Sequence, residues 1–210
     1  MLLPLMGQVP YTFKHIGIKE GLSNGFVLDM AIDGQGFVWA ATESGLNRLT
    51  GDGNTQYKKS NSELVSNELT ALHYDRLTDV LWIASQQDGI SLFDCRTQRF
   101  SSLTTKEGLC SNQIIDLAPA EDGGIWIVHK GGEIQHCDTE THELADYTKD
   151  NVKGLSGQNF TCMDDGNGHL YIGHTRNGMS ILDLKEMTAK NFRYQPGNPQ
   201  SLPGDYVRTI

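Results

Sequence analysis

Long apolar runs are missing from this 210-residue chain. The longest, Met1-Leu-Leu-Pro-Leu-Met6, is far short of the roughly 20 residues a bilayer-spanning helix needs, so no membrane contact is expected of this segment. Positive charge is scarce too. Seventeen Lys+Arg against 26 Asp+Glu leave a net charge of −9, which excludes a general nucleic-acid binder, because phosphate contacts need clustered Lys and Arg. The four cysteines, Cys95, Cys110, Cys137 and Cys162, form no CxxC pair, and the seven histidines form no HxxxH pair. No metal site is therefore expected, and Cys137 and Cys162 fall on apolar positions as buried thiols. No phosphate loop, dinucleotide fingerprint or GxSxG turn occurs, so no cofactor and no catalytic residue is assigned. Proline is rare, at 6, but glycine is not: 23 glycines, mostly in short clusters with Asp and Asn, supply many tight turns. The expectation is an all-β fold.

What is present is a repeat. A leucine followed by apolar residues five and eight positions later occurs five times: Leu22, Val27, Met30; Leu64, Leu69, Leu72; Leu109, Ile114, Leu117; Leu155, Phe160, Met163; and Leu202, Val207, Ile210. Successive leucines are 42, 45, 46 and 47 residues apart. An aromatic follows in the first four units, at Trp39, Trp82, Trp126 and Tyr171, so all three tryptophans hold one repeat position. Turn clusters flank each aromatic. Asp33-Gly-Gln-Gly36, Arg76-Leu-Thr-Asp79, Glu121-Asp-Gly-Gly124 and Asp165-Gly-Asn-Gly168 precede it, and Gly45, Gly89, Gly132 and Gly178 close the turns that follow. A third strand and a polar hairpin then lead back to Tyr57, Phe100, Leu144 and Phe192. The helical-looking stretch 184–190 occupies the place of that hairpin and reads as a longer turn.

Four short strands per unit at a period of 40 to 50 is the pattern of a β-propeller blade. A blade cannot bury both faces alone, so Leu22, Trp39, Leu64, Trp82, Leu109, Trp126, Leu155 and Tyr171 read as structural seam positions. The blades are placed at about 20–62, 63–106, 107–153 and 154–199, within a partial propeller over 11–210 whose fifth blade begins at 200. Residues 11–16 sit where an outermost strand is expected. Residues 1–10 resemble the end of a signal peptide, which points to an exported protein, and the chain reads as the opening piece of a longer one.

Three phrases carry a resemblance to a known family: Gly21-Leu-Ser-Asn-Gly-Phe-Val27, Asp33-Gly-Gln-Gly-Phe-Val-Trp-Ala-Ala-Thr42 and Ser44-Gly-Leu-Asn-Arg48. In order and at this spacing they resemble the two-component regulator propeller repeat of bacterial hybrid two-component sensors. Later units drift: Val65-Ser-Asn67 lacks the leading glycine, Leu109-Cys-Ser-Asn112 shifts its asparagine, and Tyr171 replaces tryptophan. The resemblance implies a periplasmic sensor region that responds to glycans, in a membrane-anchored parent carrying a histidine kinase and a phosphorelay to transcription. It also implies a homodimer.

In a propeller the loops between strands two and three open on one face around the central channel, where ligands bind. Those loops offer Glu43, Gln86, Gln87, Asp88, His129, Lys130, His174, Arg176 and Asn177. These side chains suit sugar hydroxyls, with Lys130 and Arg176 able to hold a carboxylate or sulfate. Asn24, Asn67 and Asn112 recur in the incoming loops, which points to a structural role such as an Asx-turn. Asp164-Asp-Gly-Asn-Gly168 resembles a calcium loop without its terminal glutamate and reads as a hairpin turn. Two other functions compete. A stand-alone propeller could act as a protein-interaction scaffold, and a propeller lyase or hydrolase would have His129 and His174 as its bases.

Overall fold

The computed structural model describes residues 12–51, 53–155 and 160–210. Residues 1–10, read as a leader remnant, and the Cys162 side chain lie outside that description.

The described strands form four antiparallel sheets, each a meander of four. The first holds β1 (Val27–Ile32), β2 (Val38–Thr42), β3 (Gly45–Thr50) and β4 (Gly53–Tyr57). The second holds β5 (Leu69–Asp75), β6 (Val80–Ser85), β7 (Ile90–Asp94) and β8 (Arg99–Leu103). The third holds β9 (Ile114–Pro119), β10 (Ile125–His129), β11 (Ile134–Cys137) and β12 (Leu144–Tyr147). The fourth holds β13 (Phe160–Gly166), β14 (His169–His174), β15 (Met179–Asp183) and β16 (Thr188–Phe192). The first strands of successive sheets lie side by side, in the manner of propeller blades. Residues 184–187 turn between β15 and β16, and 167–168 turn between β13 and β14, so both stretches are hairpins. One expectation fails: residues 12–16 form no strand, and the chain instead enters the first blade through a 3-10 turn at Ile18–Glu20.

Three apolar clusters fill the three seams. Trp39, Leu46, Leu64, Leu72, Ile83 and Phe93 close blades one and two. Trp82, Ile90, Leu109, Ile114, Leu117 and Ile127 close blades two and three. Trp126, Val128, Leu155, Phe160, Met163 and Leu182 close blades three and four. Each tryptophan points forward into the next blade and is buried, where a side chain of that size contributes roughly 2 to 3 kcal/mol. The two outward faces differ. On the first blade Met30 is 63% exposed, whereas its repeat equivalents Leu72, Leu117 and Met163 are buried against the preceding blade. Tyr171, at the tryptophan position of the last blade, is only half-buried for the same reason.

The glycine after each aromatic is a true left-handed position: Gly45, Gly89, Gly132 and Gly178 have φ of 121°, 86°, 97° and 75°. At Gly45 and Gly89 a Cβ would also stand 2.6 Å from the carbonyl oxygens of Tyr57 and Leu103. Strand four crosses behind the turn so closely that only glycine fits.

Candidate functional site

At the end of each second strand lies a buried polar residue: Thr42, Ser85, His129 and His174. Thr42 Oγ1 and Ser85 Oγ donate to the Gly45 and Gly89 carbonyls at 2.8 and 2.7 Å and fasten the turn. His129 Nε2 instead pairs with Gln135 Oε1 at 2.9 Å, and His174 Nε2 with Ser180 Oγ at 2.7 Å. Burial pushes the His129 imidazole below its ordinary pKa, with the Gln135 bond opposing. Both histidines were candidates for ligand contact. Both are fully buried in blade corners, where they stand in for the threonine and serine of the earlier blades.

A second buried row lies on strand three. Asn47, Ser91 and Gln135 accept the backbone N–H of Ser23, Val65 and Cys110 at 2.8, 3.0 and 3.0 Å, which ties each incoming loop to its own blade. The recurring asparagines act between blades. The Asn67 and Asn112 carbonyls accept from Gly45 N and Gly89 N at 2.8 and 2.9 Å. Their side chains accept from Lys59 N and Thr105 N. Asp205 does both for the fourth blade, with Gly178 N and Tyr194 N. Asn24 alone makes the expected Asx-turn, accepting from Phe26 N at 2.8 Å.

The first strand of every blade carries a register shift near its start, which leaves inner backbone N–H groups without strand partners. Carboxylates take them up. Asp29 accepts from Met30 N and, across the seam, from Leu72 N, both at 2.7 Å. Asp116 accepts from Leu117 N at 2.9 Å and from Met163 N at 3.2 Å. Burial pushes Asp116 up to about 6 against those two hydrogen bonds, with a smaller contribution from Asp29.

Between the second-to-third turns and these inner strands the first three blades share an open cavity of about 660 Å³, within the range typical of small-molecule sites. Leu28, Leu69, Ile114 and Ile115 form an aliphatic wall. Asn24, Glu43, Ser44, Glu68, Thr70, Gln86 and Lys130 supply the polar groups. Thr70 Oγ1 is buried with no hydrogen-bond partner among the described residues.

Of the side chains singled out from the sequence, the fold brings Glu43, Gln86 and Lys130 to this cavity, one from each blade. Gln87 and Asp88 belong to the same turn as Gln86 but do not line the cavity; Asp88 reaches Lys59 at 3.9 Å. Arg176 and Asn177 lie in the fourth blade, away from it, and Asn177 Oδ1 accepts from Arg193 Nη2 at 3.2 Å. Of the two cations, Lys130 lines the cavity and Arg176 does not. Glu68 and Thr70 carry no signal in the residue pattern: Glu68 ends the incoming loop just before β5, and Thr70 lies within the register shift between Leu69 and Leu72.

Residues 21–44 match the two component regulator propeller model. This stretch is a two component regulator propeller repeat. Over 90% of its length the chain is 32% identical, at a TM-score of 0.80, to the extracellular domain assigned to the hybrid two component system BT3049 of B. thetaiotaomicron. It covers 27% of that structure. The extracellular domain assigned to BT4673 of the same organism matches at 16% identity and a TM-score of 0.57, over 90% of this chain and 30% of that one. Virginiamycin B lyase from Staphylococcus aureus matches at 13% identity and 0.60, over 82% of this chain and 56% of the lyase; at that identity the likeness concerns the fold alone. No curated protein sequence matches the chain significantly. The chain thus spans under a third of each of these two extracellular domains. The propeller repeat lies at its start, and the cavity opens where that repeat's turn, at Glu43 and Ser44, meets the next two blades. Among the described residues no helix is long and apolar enough to cross a membrane.

Proposed function

We propose that this chain is a ligand-sensing, periplasmic propeller segment of a hybrid two-component sensor, responding to oligosaccharides and acting on a histidine-kinase phosphorelay that controls transcription. The observation that carries the reading is the cavity shared by blades one to three, in a chain that resembles the extracellular domain of such a system. Its rim of amide, hydroxyl and charged groups matches sugar hydroxyls, and its aliphatic wall accepts the C–H faces of a pyranose. Because the site is assembled from separate blades, an occupant that bridges them biases their relative placement, which is the physical requirement for a sensor. A homodimer is the partner arrangement that would carry that bias toward a kinase.

The test is calorimetric titration of the chain with a broad oligosaccharide panel. At least one saccharide is expected to bind, with affinity falling about fivefold or more in Gln86→Ala, which removes a hydrogen-bonding rim group. A panel without a binder would sink the reading.

A further inference from the structure

The charges of the cavity are not balanced. Glu43 and Glu68 bring two carboxylates and Lys130 one ammonium, and none of the three makes an ion pair among the described residues. Arg176, the other cation of these turns, lies elsewhere. No aromatic ring lines the walls, so the apolar wall cannot provide the ring stacking that would let a neutral sugar bind without help from charge. The chain as a whole carries a net charge of −9, a field that repels polyanions before they reach the cavity.

We infer that the cavity takes a saccharide bearing at least one free amine, held by Glu43 and Glu68, and discriminates against uronate and sulfated sugars. This inference rests on reading the cavity as a saccharide site. A protonated amine donates up to three hydrogen bonds, and charge-assisted bonds to carboxylate are about twice as strong as neutral ones. Lys130 and Gln86 on the neighbouring blades then meet ring and glycosidic oxygens or hydroxyls. An acidic sugar would gain one cation and face two like charges, which costs more than it returns at comparable exposure.

Three tetrasaccharides separate the possibilities by calorimetry in slightly acidic, low-salt buffer: glucosamine, its N-acetylated form and galacturonate. The glucosamine tetramer is expected to bind about fivefold or more tighter than its acetylated form, as two exposed charge pairs would give, and the advantage should fade at high salt. The double variant Glu43→Gln, Glu68→Gln should abolish the preference of the amine over the acetylated form, since an amide keeps the side chain's size and polarity and loses the charge. Both residues are exposed, so the variant folds. Equal or tighter binding of the acetylated or acidic tetramer overturns the amine inference and leaves the saccharide site standing. A preference unchanged in the double variant also overturns it. Binding by none of the three overturns both, and a trilysine peptide that bound as tightly as glucosamine would overturn the saccharide class.

Discussion

The seam between blades one and two and the seam between two and three use the same repeat positions and are closed by different means. In the first, Trp39 stands 5.1 Å from Phe93 and 5.7 Å from Tyr57, with Phe100 beside both partners, and its Nε1 donates to Asp33 at 2.8 Å. In the second, Trp82 is equally buried among mainly aliphatic side chains, with the His142 ring edge-on at 5.8 Å, and its Nε1 has no hydrogen-bond partner among the described residues. The inner ends differ as well. Asp29 ties blade one to Leu72 N of blade two, whereas the same position in blade two is Ala71, buried in the apolar seam. Apolar area is thus common to both seams and polar ties are optional additions. Hydrogen bonds of this kind add about 1 kcal/mol where present, while a lone buried donor costs about 1 to 3.

The comparison breaks first if area is not the common term. Trp39→Ala and Trp82→Ala should each cost about 3 to 5 kcal/mol in denaturant unfolding, and a loss under 1 kcal/mol at either would refute it. The phenylalanine variants sharpen it. Trp39→Phe leaves Asp33 Oδ2 without its donor, while Trp82→Phe removes an orphaned donor, so the first should be more destabilising by about 1 to 2 kcal/mol. At the inner end, Asp29→Ala exposes two unpaired N–H groups and is expected to cost about 1 to 3 kcal/mol. It should also speed amide exchange at Leu72, and unchanged exchange there would remove Asp29 from the seam.

The smallest effects are in pH dependence. Asp116, raised to about 6, favours its protonated form in the fold. Its contribution is complete below its ordinary value of 3.8 and is lost as pH rises toward 6. His129, lowered from 6.5 by burial, favours its neutral form, and its contribution is lost as pH falls below 6.5. Opposite slopes should appear when each is removed singly, as Asp116→Asn or as His129→Thr, the residue blade one uses at that corner. Urea midpoints measured at several pH values would show it, and slopes of the same sign would contradict the assignment.

The blades were legible because each repeat position has one physical job in every copy. A tryptophan every 43 or 44 residues, and a glycine where φ must be positive, can be read directly from the chain. The candidate site was legible only in part. Glu43, Gln86 and Lys130 stand in turns whose place follows from the repeat, but His129 and His174 stand in the same turns and are buried. Nothing in residue type separates an imidazole that faces solvent from one that replaces a serine in a closed corner. Asn67 and Asn112 are structural, yet they latch adjacent blades and make no Asx-turn, because the backbone they satisfy lies in the preceding blade, at Lys59 and Gly45 for Asn67 and at Thr105 and Gly89 for Asn112.

By itself the sequence determined the all-β class, the four-strand unit, the seam residues and the turn glycines, since periodic burial and backbone sterics act locally and repeat. The tertiary structure alone decided which polar groups meet. A register shift in the first strand frees the N–H groups that Asp29 and Asp116 capture, and the stacking of three blades brings two carboxylates and one ammonium around a single cavity. Those meetings depend on atoms separated by whole blades, where no local pattern in the chain constrains them.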